Sequence, residues 1–270
     1  MSRVALAALL SVLAFSTTAK EVNISGSTSV SRIMDVLAEQ FNNTHPETYI
    51  AVQGIGSTAG ITMVNKGVSE LGMSSRYLTE AEFNKDMIVK PIAFDGLAVV
   101  INKSNPISNL SREQLTNIYL GKVKNWKDVG GEDRTIAVVT REGSSGSRYS
   151  FESLLGLTKI VNNRLVSNIN PENLVVNSNS MVKTIVNHNP QAIGFVSLGS
   201  VDQSVRLISF ENVKPTSANI SNNKYELARP FLIIYHQEDL TKSGQQFVSY
   251  ITSDEGQNII QDYGYTPIKK

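Results

Sequence analysis

Apolar residues in this chain form short runs that alternate with stretches where they recur at every third or fourth position. Val22-Asn23-Ile24 reads as a strand, and Ile33, Met34, Val36, Leu37 and Phe41 then predict a helix over Val30 to Asn42. Tyr49-Ile50-Ala51-Val52 is a second strand, followed by a helix with Ile61 and Val64 on its apolar side. Glu70-Leu71-Gly72-Met73 is a third, and Thr79-Glu80-Ala81-Glu82 predicts another helix start. Lys90 to Asn102 reads as two strand segments, and Leu110 to Leu115 opens a helix ending before Gly121. Asn125 to Gly131 is a turn in which the only tryptophan, Trp126, is a packing residue. Ile136-Ala137-Val138-Val139 is a strand, with a helix from near Tyr149-Ser150-Phe151. Leu165 to Asn179 predicts loop with one strand at Leu174-Val175-Val176, then a helix near Met181 to Val186 and a strand at Ala192 to Val196. Ser217 to Lys224 lacks periodicity and reads as a connection; Phe231 to Tyr235 is a strand, and one closing helix spans Gln245 to Asp262. Strands alternating with helices imply an α/β fold on a parallel sheet, where ligands bind at the carboxyl ends of strands.

Four of these strands end in hydroxyl- and glycine-rich turns: Gly26-Ser27-Thr28-Ser29-Val30, Gly54-Ile55-Gly56-Ser57-Thr58-Ala59-Gly60, Ser74-Ser75-Arg76 and Arg141-Glu142-Gly143-Ser144-Ser145-Gly146-Ser147-Arg148. Free backbone N–H groups at a helix start, with the positive end of the helix dipole, favour an anion. Serine adds donors, glycine permits close backbone approach, and arginine supplies a planar fork suited to oxyanions. A single such turn is an ordinary N-cap. Four on the same side of a sheet suggest a site.

Met1-Ser2-Arg3, the apolar run Val4 to Phe15 and the small residues Ser16 to Ala19 have the form of a secretory signal peptide cut near Ala19. The run is too short to span a bilayer. With no cysteine in the chain, disulfides, thiolate chemistry and a lipid-anchoring cysteine are excluded, which points to the periplasm. Removing a leader that carries Arg3 leaves equal numbers of basic and acidic side chains, so bulk charge attracts neither nucleic acid nor membranes. A hydrolase with Ser145 as nucleophile would need a base, yet His45, His188 and His236 have no partners at recognisable spacing. Gly143-Ser144-Ser145-Gly146 is not a Gly-x-Ser-x-Gly elbow, and no cluster of Asp and His suggests a metal or other cofactor.

The four turns together resemble those of the periplasmic phosphate-binding proteins of the phosphate-specific ABC transporter, the PstS family. Leu115 to Gly131, Ala192 to Gly199 and Ala228-Arg229-Pro230-Phe231 also look like that family, so the resemblance covers essentially the whole mature chain. It implies a type II periplasmic-binding-protein fold: two lobes joined by two crossing strands, with phosphate bound in the cleft between them. The crossings would be Ala93–Val99 and Arg229–Tyr235, giving one lobe of residues 20–96 plus 230–270 and another of 97–229. Carried over by motif, the phosphate ligands would be Thr28, Ser29, Ser57 and Ser75, with Arg141, Ser145, Gly146 and Ser147 from the second lobe. Ser27, Thr58, Arg76, Glu142 and Arg148 form a second rank. The implied partners are inorganic phosphate and an inner-membrane permease with its ATPase, the protein itself being a monomer.

One position departs from the family. Better-known members place an aspartate at the end of the third strand that accepts a hydrogen bond from protonated phosphate and rejects sulfate, and Ser75 stands there in this chain. A hydroxyl can donate or accept, so it penalises sulfate less. Glu142 could supply the missing acceptor, or could pair with Arg141 or Arg148. The alternatives are therefore a receptor for sulfate or molybdate and, further off, a serine-dependent phosphate-ester hydrolase.

Overall fold

The structure, a computed structural model, describes residues 20–162 and 164–268. The expected leader lies outside the described residues. Among those residues no helix is long and apolar enough to cross a membrane.

In chain order the first elements are β1 (Lys20–Gly26), α1 (Thr28–Thr44), β2 (Thr48–Gly54), α2 (Ser57–Asn65), β3 (Leu71–Ser74) and the long β4 (Met87–Ile101). β5 (Asn109–Leu110), α3 (Arg112–Tyr119), β6 (Ala137–Arg141), α4 (Gly146–Leu155), β7 (Thr158–Val161) and β8 (Arg164–Ser167) follow. Then come β9 (Leu174–Val176), α5 (Asn179–His188), β10 (Ala192–Ser197), β11 (Arg206–Leu207), β12 (Ser209–Phe210) and α6 (Ser217–Ser221). The chain closes with β13 (Ala228–His236), α7 (Lys242–Ile251), α8 (Asp254–Asp262) and β14 (Thr266–Pro267).

The main sheet runs β2-β1-β3-β13-β4-β10-β6-β9, with β11 and β14 also on β4. Its two wings are parallel, β2-β1-β3 on one side and β10-β6-β9 on the other. Its middle is antiparallel, because β13 returns along β4 from Ala228 opposite Gly96 to His236 opposite Met87. The sheet is thus mixed rather than parallel. β4 is one strand, not two segments; the register slips at Ile92, next to Pro91, where a bulge tolerates a residue without an N–H. Past this point Leu97 to Ile101 are all buried, as expected of a strand covered on both faces.

Two main apolar clusters lie on either side of this pair. One joins Val30, Ile33, Met34, Leu37 and Phe41 of α1 to Phe231, Phe247 and Tyr265. The other packs Leu97 and Val99 against Tyr119, Trp126, Phe151 and Phe195, while a smaller cluster of valines and alanines fills the opposite face of β10. Trp126 is a packing residue, its indole N–H donating to the Gln191 carbonyl.

Four further elements differ from the sequence pattern. Thr79 to Glu82 is a turn, because the Glu82 carboxylate accepts from Thr79 N–H and from Arg76 and folds the chain back. Leu165 belongs to a hairpin, β7 with β8, whose Ile160 and Leu165 are exposed and so break the buried-face rule that marks strands. Ser217 to Ser221 is a short helix capped by the Thr216 hydroxyl. The closing helix is two, since Ser253 caps a new start at Asp254.

Candidate anion-binding site

The turns after β1, β2, β3 and β6 meet between the two apolar clusters. Three helices begin there. Ser27 caps α1, its oxygen accepting from Ser29 and Val30 N–H, and Ser145 caps α4 by accepting from Arg148 N–H. α4 therefore starts at Gly146, three residues before the apolar pattern shows it. α2 begins after Gly56, which has φ +97° and gives no side-chain cap. A Cβ at Gly56 would lie 2.6 Å from Ser144 Oγ, so the position needs glycine both for conformation and for contact with the other lobe. All three helix starts direct N–H groups and positive dipole ends inward.

The side chains interlock across the lobes. Ser29 and Ser147 Oγ are 3.0 Å apart, and Ser27 Oγ donates to Ser75 Oγ at 2.8 Å. Ser57 Oγ accepts from Ser75 N–H at 3.1 Å. Ser150 Oγ donates to the Ser75 carbonyl, and Thr58 N–H to that of Ser144. Arg141 is buried, with Nε and Nη2 on the two oxygens of Glu142 and Nη2 also donating to Thr28 Oγ1 and the Asn177 carbonyl. Its Nη1 is buried with no partner among the described residues. A buried guanidinium nitrogen without an acceptor is costly, and an anion is the natural complement.

The structure thus brings together Ser27, Thr28, Ser29, Ser57, Ser75, Arg141, Ser145, Gly146 and Ser147. Three second-rank residues fall outside the cluster. Arg76 is buried, forks onto Glu82, donates to Thr58 Oγ1 and lies 4.8 Å from the Tyr149 ring. Thr58 is exposed. Arg148 pairs with Glu152 and Ser167 and donates to the Arg141 carbonyl, a structural role. Glu142 has both oxygens on Arg141, so of its two readings the ion pair is the one observed. His45 stacks on Phe41 and His188 bonds back to Thr184, leaving neither a partner for Ser145. Among the described residues, no group of His, Asp and Glu could hold a metal ion.

Four residues that the motifs did not assign, Asp95, Arg229, Asn179 and Ser197, line the base of the cluster. Asp95 and Arg229 are opposite each other on β4 and β13; one carboxylate oxygen takes both Nε (3.1 Å) and Nη2 (2.9 Å). The other oxygen accepts from Ser197 Oγ and Leu198 N–H. Burial raises the Asp95 carboxyl above the usual range, opposed by Arg229 and these hydrogen bonds. Burial also lowers the guanidinium, opposed mainly by Asp95. The remaining nitrogen, Arg229 Nη1, donates to Ser147 Oγ at 2.7 Å. Asn179 Nδ2 donates to Ser29 Oγ at 3.0 Å. A lone carboxylate inside the apolar run Ile92 to Val100 was the available signal for Asp95, and the Ala228 to Phe231 run contained Arg229. Asn179, in an asparagine-rich stretch, carried none.

A family model described as a PBP superfamily domain matches residues 14–255. The chain is 32% identical to the phosphate-binding protein PstS of Borreliella burgdorferi, over 93% of this chain and 91% of that one. Against the PstS of Bacillus subtilis it is 30% identical, covering 92% and 80%. Among solved structures, an ABC-type phosphate transport receptor from Vibrio cholerae is 56% identical, with TM-score 0.78 over 92% of this chain and all of that one. A putative phosphate ABC transporter substrate-binding protein with bound phosphate, from Clostridium perfringens, is 38% identical with TM-score 0.87, over 93% of this chain and 100% of that one.

Proposed function

The chain belongs to the PBP superfamily and, within it, to the phosphate-binding proteins of the PstS type, and from that premise we propose that it captures inorganic phosphate as the substrate-binding component of an ABC phosphate transporter. It is a binding protein, not an enzyme. The observation that carries the reading is the unpartnered, buried Nη1 of Arg141 within a set of helix starts and serine hydroxyls from both lobes. The ligands are Thr28, Ser29, Ser57, Ser75, Arg141, Ser145, Gly146 and Ser147, with Ser27 shaping Ser75. The lobes divide at the crossings of β4 and β13, as residues 20–96 plus 230–270 and 97–229. An anion bridging donors from both lobes favours the closed form, so closure follows ligand. The closed rims then dock on an inner-membrane permease and its ATPase, the protein working as a periplasmic monomer.

A second oxyanion, sulfate, has a specific observation in its favour. The carboxylates beside the site are engaged: Asp95 already accepts four hydrogen bonds and both oxygens of Glu142 face Arg141, so a protonated phosphate would have to share an oxygen that a guanidinium already holds. Titration calorimetry on protein stripped of ligand by unfolding and refolding decides between them. Tight phosphate binding that sulfate does not displace supports phosphate transport; equal competition makes the site a general oxyanion receptor; binding of neither overturns the assignment.

A further inference from the structure

The serines of the site differ from solvent hydroxyls in one respect: their oxygens are already in receipt of a hydrogen bond. Ser57 Oγ accepts from Ser75 N–H, Ser75 Oγ from Ser27 Oγ, and Ser145 Oγ from Arg148 N–H. Ser147 Oγ accepts from Arg229 Nη1, and Ser29 Oγ from Asn179 Nδ2. The orientation of the Asn179 amide is fixed independently. Its Oδ1 accepts from the backbone N–H of Ser197, which can only donate, so its NH2 must face Ser29. Asn179, Arg229, Ser29, Ser147, Ser197 and Asp95 are all buried. They close a ring: Asp95 to Arg229, to Ser147, to Ser29, to Asn179, to Ser197 and back to Asp95.

A hydroxyl has one hydrogen to give. When a fixed donor occupies its oxygen, that hydrogen is turned away from the donor. We propose that Asn179 and Arg229 are positioning residues that keep Ser29 and Ser147 as hydrogen-bond donors: without ligand one of the two gives its hydrogen to the other's oxygen across their 3.0 Å contact, and a bound oxyanion takes that hydrogen over, so that both then point at it. Arg229 is itself anchored through Asp95 to the crossing strands, so the polarity of Ser147 is set from the hinge. Neither residue need touch the anion; each acts through a serine. The inference deepens the phosphate reading and rests on it.

The test is a double-mutant cycle read by phosphate calorimetry on the whole mature protein. Asn179→Ala frees the Ser29 hydroxyl to rotate, and affinity falls about tenfold, the order expected for one hydrogen bond. In a Ser29→Ala background the same change costs nothing further, because the group through which Asn179 acts is gone. Asn179→Asp keeps the acceptor for Ser197 N–H but turns the donor into an acceptor, so it weakens binding more than alanine does. Thermal melts establish that each variant is folded. Additive losses in the cycle, or an Asn179→Ala affinity equal to wild type, overturn the proposal while leaving phosphate binding intact. Absence of phosphate binding by the wild type instead overturns the reading on which it rests. Arg229→Gln combined with Asp95→Asn, which avoids an unpaired buried carboxylate, repeats the cycle against Ser147→Ala with the same expectation.

Discussion

Ser29 Oγ at the start of α1 and Ser147 Oγ at the start of α4 are 3.0 Å apart although 118 positions separate them in the chain. The contact joins the two lobes at the point where the helix dipoles converge, so the distance between lobes and the geometry of the donors are one variable. Anything that props the lobes apart must weaken anion binding.

Gly146 is where this is most easily tested. A Cβ there would lie 2.2 Å from Ser57 Oγ and 2.9 Å from Ser57 Cβ, too close for either to stay in place. Gly146→Ala is expected to fold, since alanine suits the first turn of a helix, and to lose phosphate affinity by about 100-fold or more, from about 3 kcal/mol of disrupted polar contact. Small-angle scattering in saturating phosphate should show a larger radius of gyration than wild type. A variant that closes and binds normally would rule out tight packing of Gly146 on Ser57.

Arg141 offers a charge test. Arg141→Ala removes the unpartnered Nη1 and leaves Glu142 without its guanidinium, and phosphate affinity should fall by about 100-fold or more. Arg141→Lys keeps the charge but cannot serve Glu142, Thr28 and an anion at once, so it recovers only part of the loss. Glu142→Gln tests selectivity. With both oxygens of Glu142 on Arg141, the ratio of phosphate to sulfate affinity should not change, and a fall in that ratio would make Glu142 the proton acceptor after all.

Much of this arrangement was legible beforehand because it is local. Strand, hydroxyl-rich turn and helix are contiguous in the chain, and cap chemistry marks the turns after β1 and β6 directly. What escaped was set by long-range contacts. Asp95 and Arg229 are paired only because β13 returns beside β4, and Asn179 reaches Ser29 from a different lobe. Their sequence neighbourhoods hold no period or spacing that encodes either meeting. The split of the last helix and the turn at Thr79 depended on single polar side chains, Ser253 and Glu82, which apolar periodicity does not weigh.

Glu82 gives a pH prediction. Burial raises its carboxyl pKa, but hydrogen bonds from Arg76 and Thr79 and the Arg76 charge outweigh this and hold it below the ordinary value. A depressed carboxyl stabilises the fold fully above its unfolded pKa of about 4.3, and that contribution is lost as pH falls through the lower folded value. Glu82→Gln should therefore melt below wild type at pH 7, and the gap should narrow as pH falls below about 4.3 and close once it passes below the depressed folded value, where both carry a neutral side chain. A gap independent of pH would show that the ion pair with Arg76 contributes nothing.

The pair between Asp95 and Arg229 should behave in the opposite way to an exposed ion pair. Both side chains are buried on the crossing strands, so their mutual attraction is set against two large desolvation costs. Removing one partner leaves the other charge buried without compensation, for which about 3–5 kcal/mol of destabilisation is typical. Arg229→Met should accordingly lower stability in urea unfolding by about that amount, and Asp95→Leu by a similar one. Replacing both together removes both desolvation costs with the attraction, and stability should return close to wild type. Phosphate binding should not return with it, because Ser147 Oγ still lacks the Nη1 donor. Recovery of both stability and affinity in the double variant would mean that the pair has no part in the site.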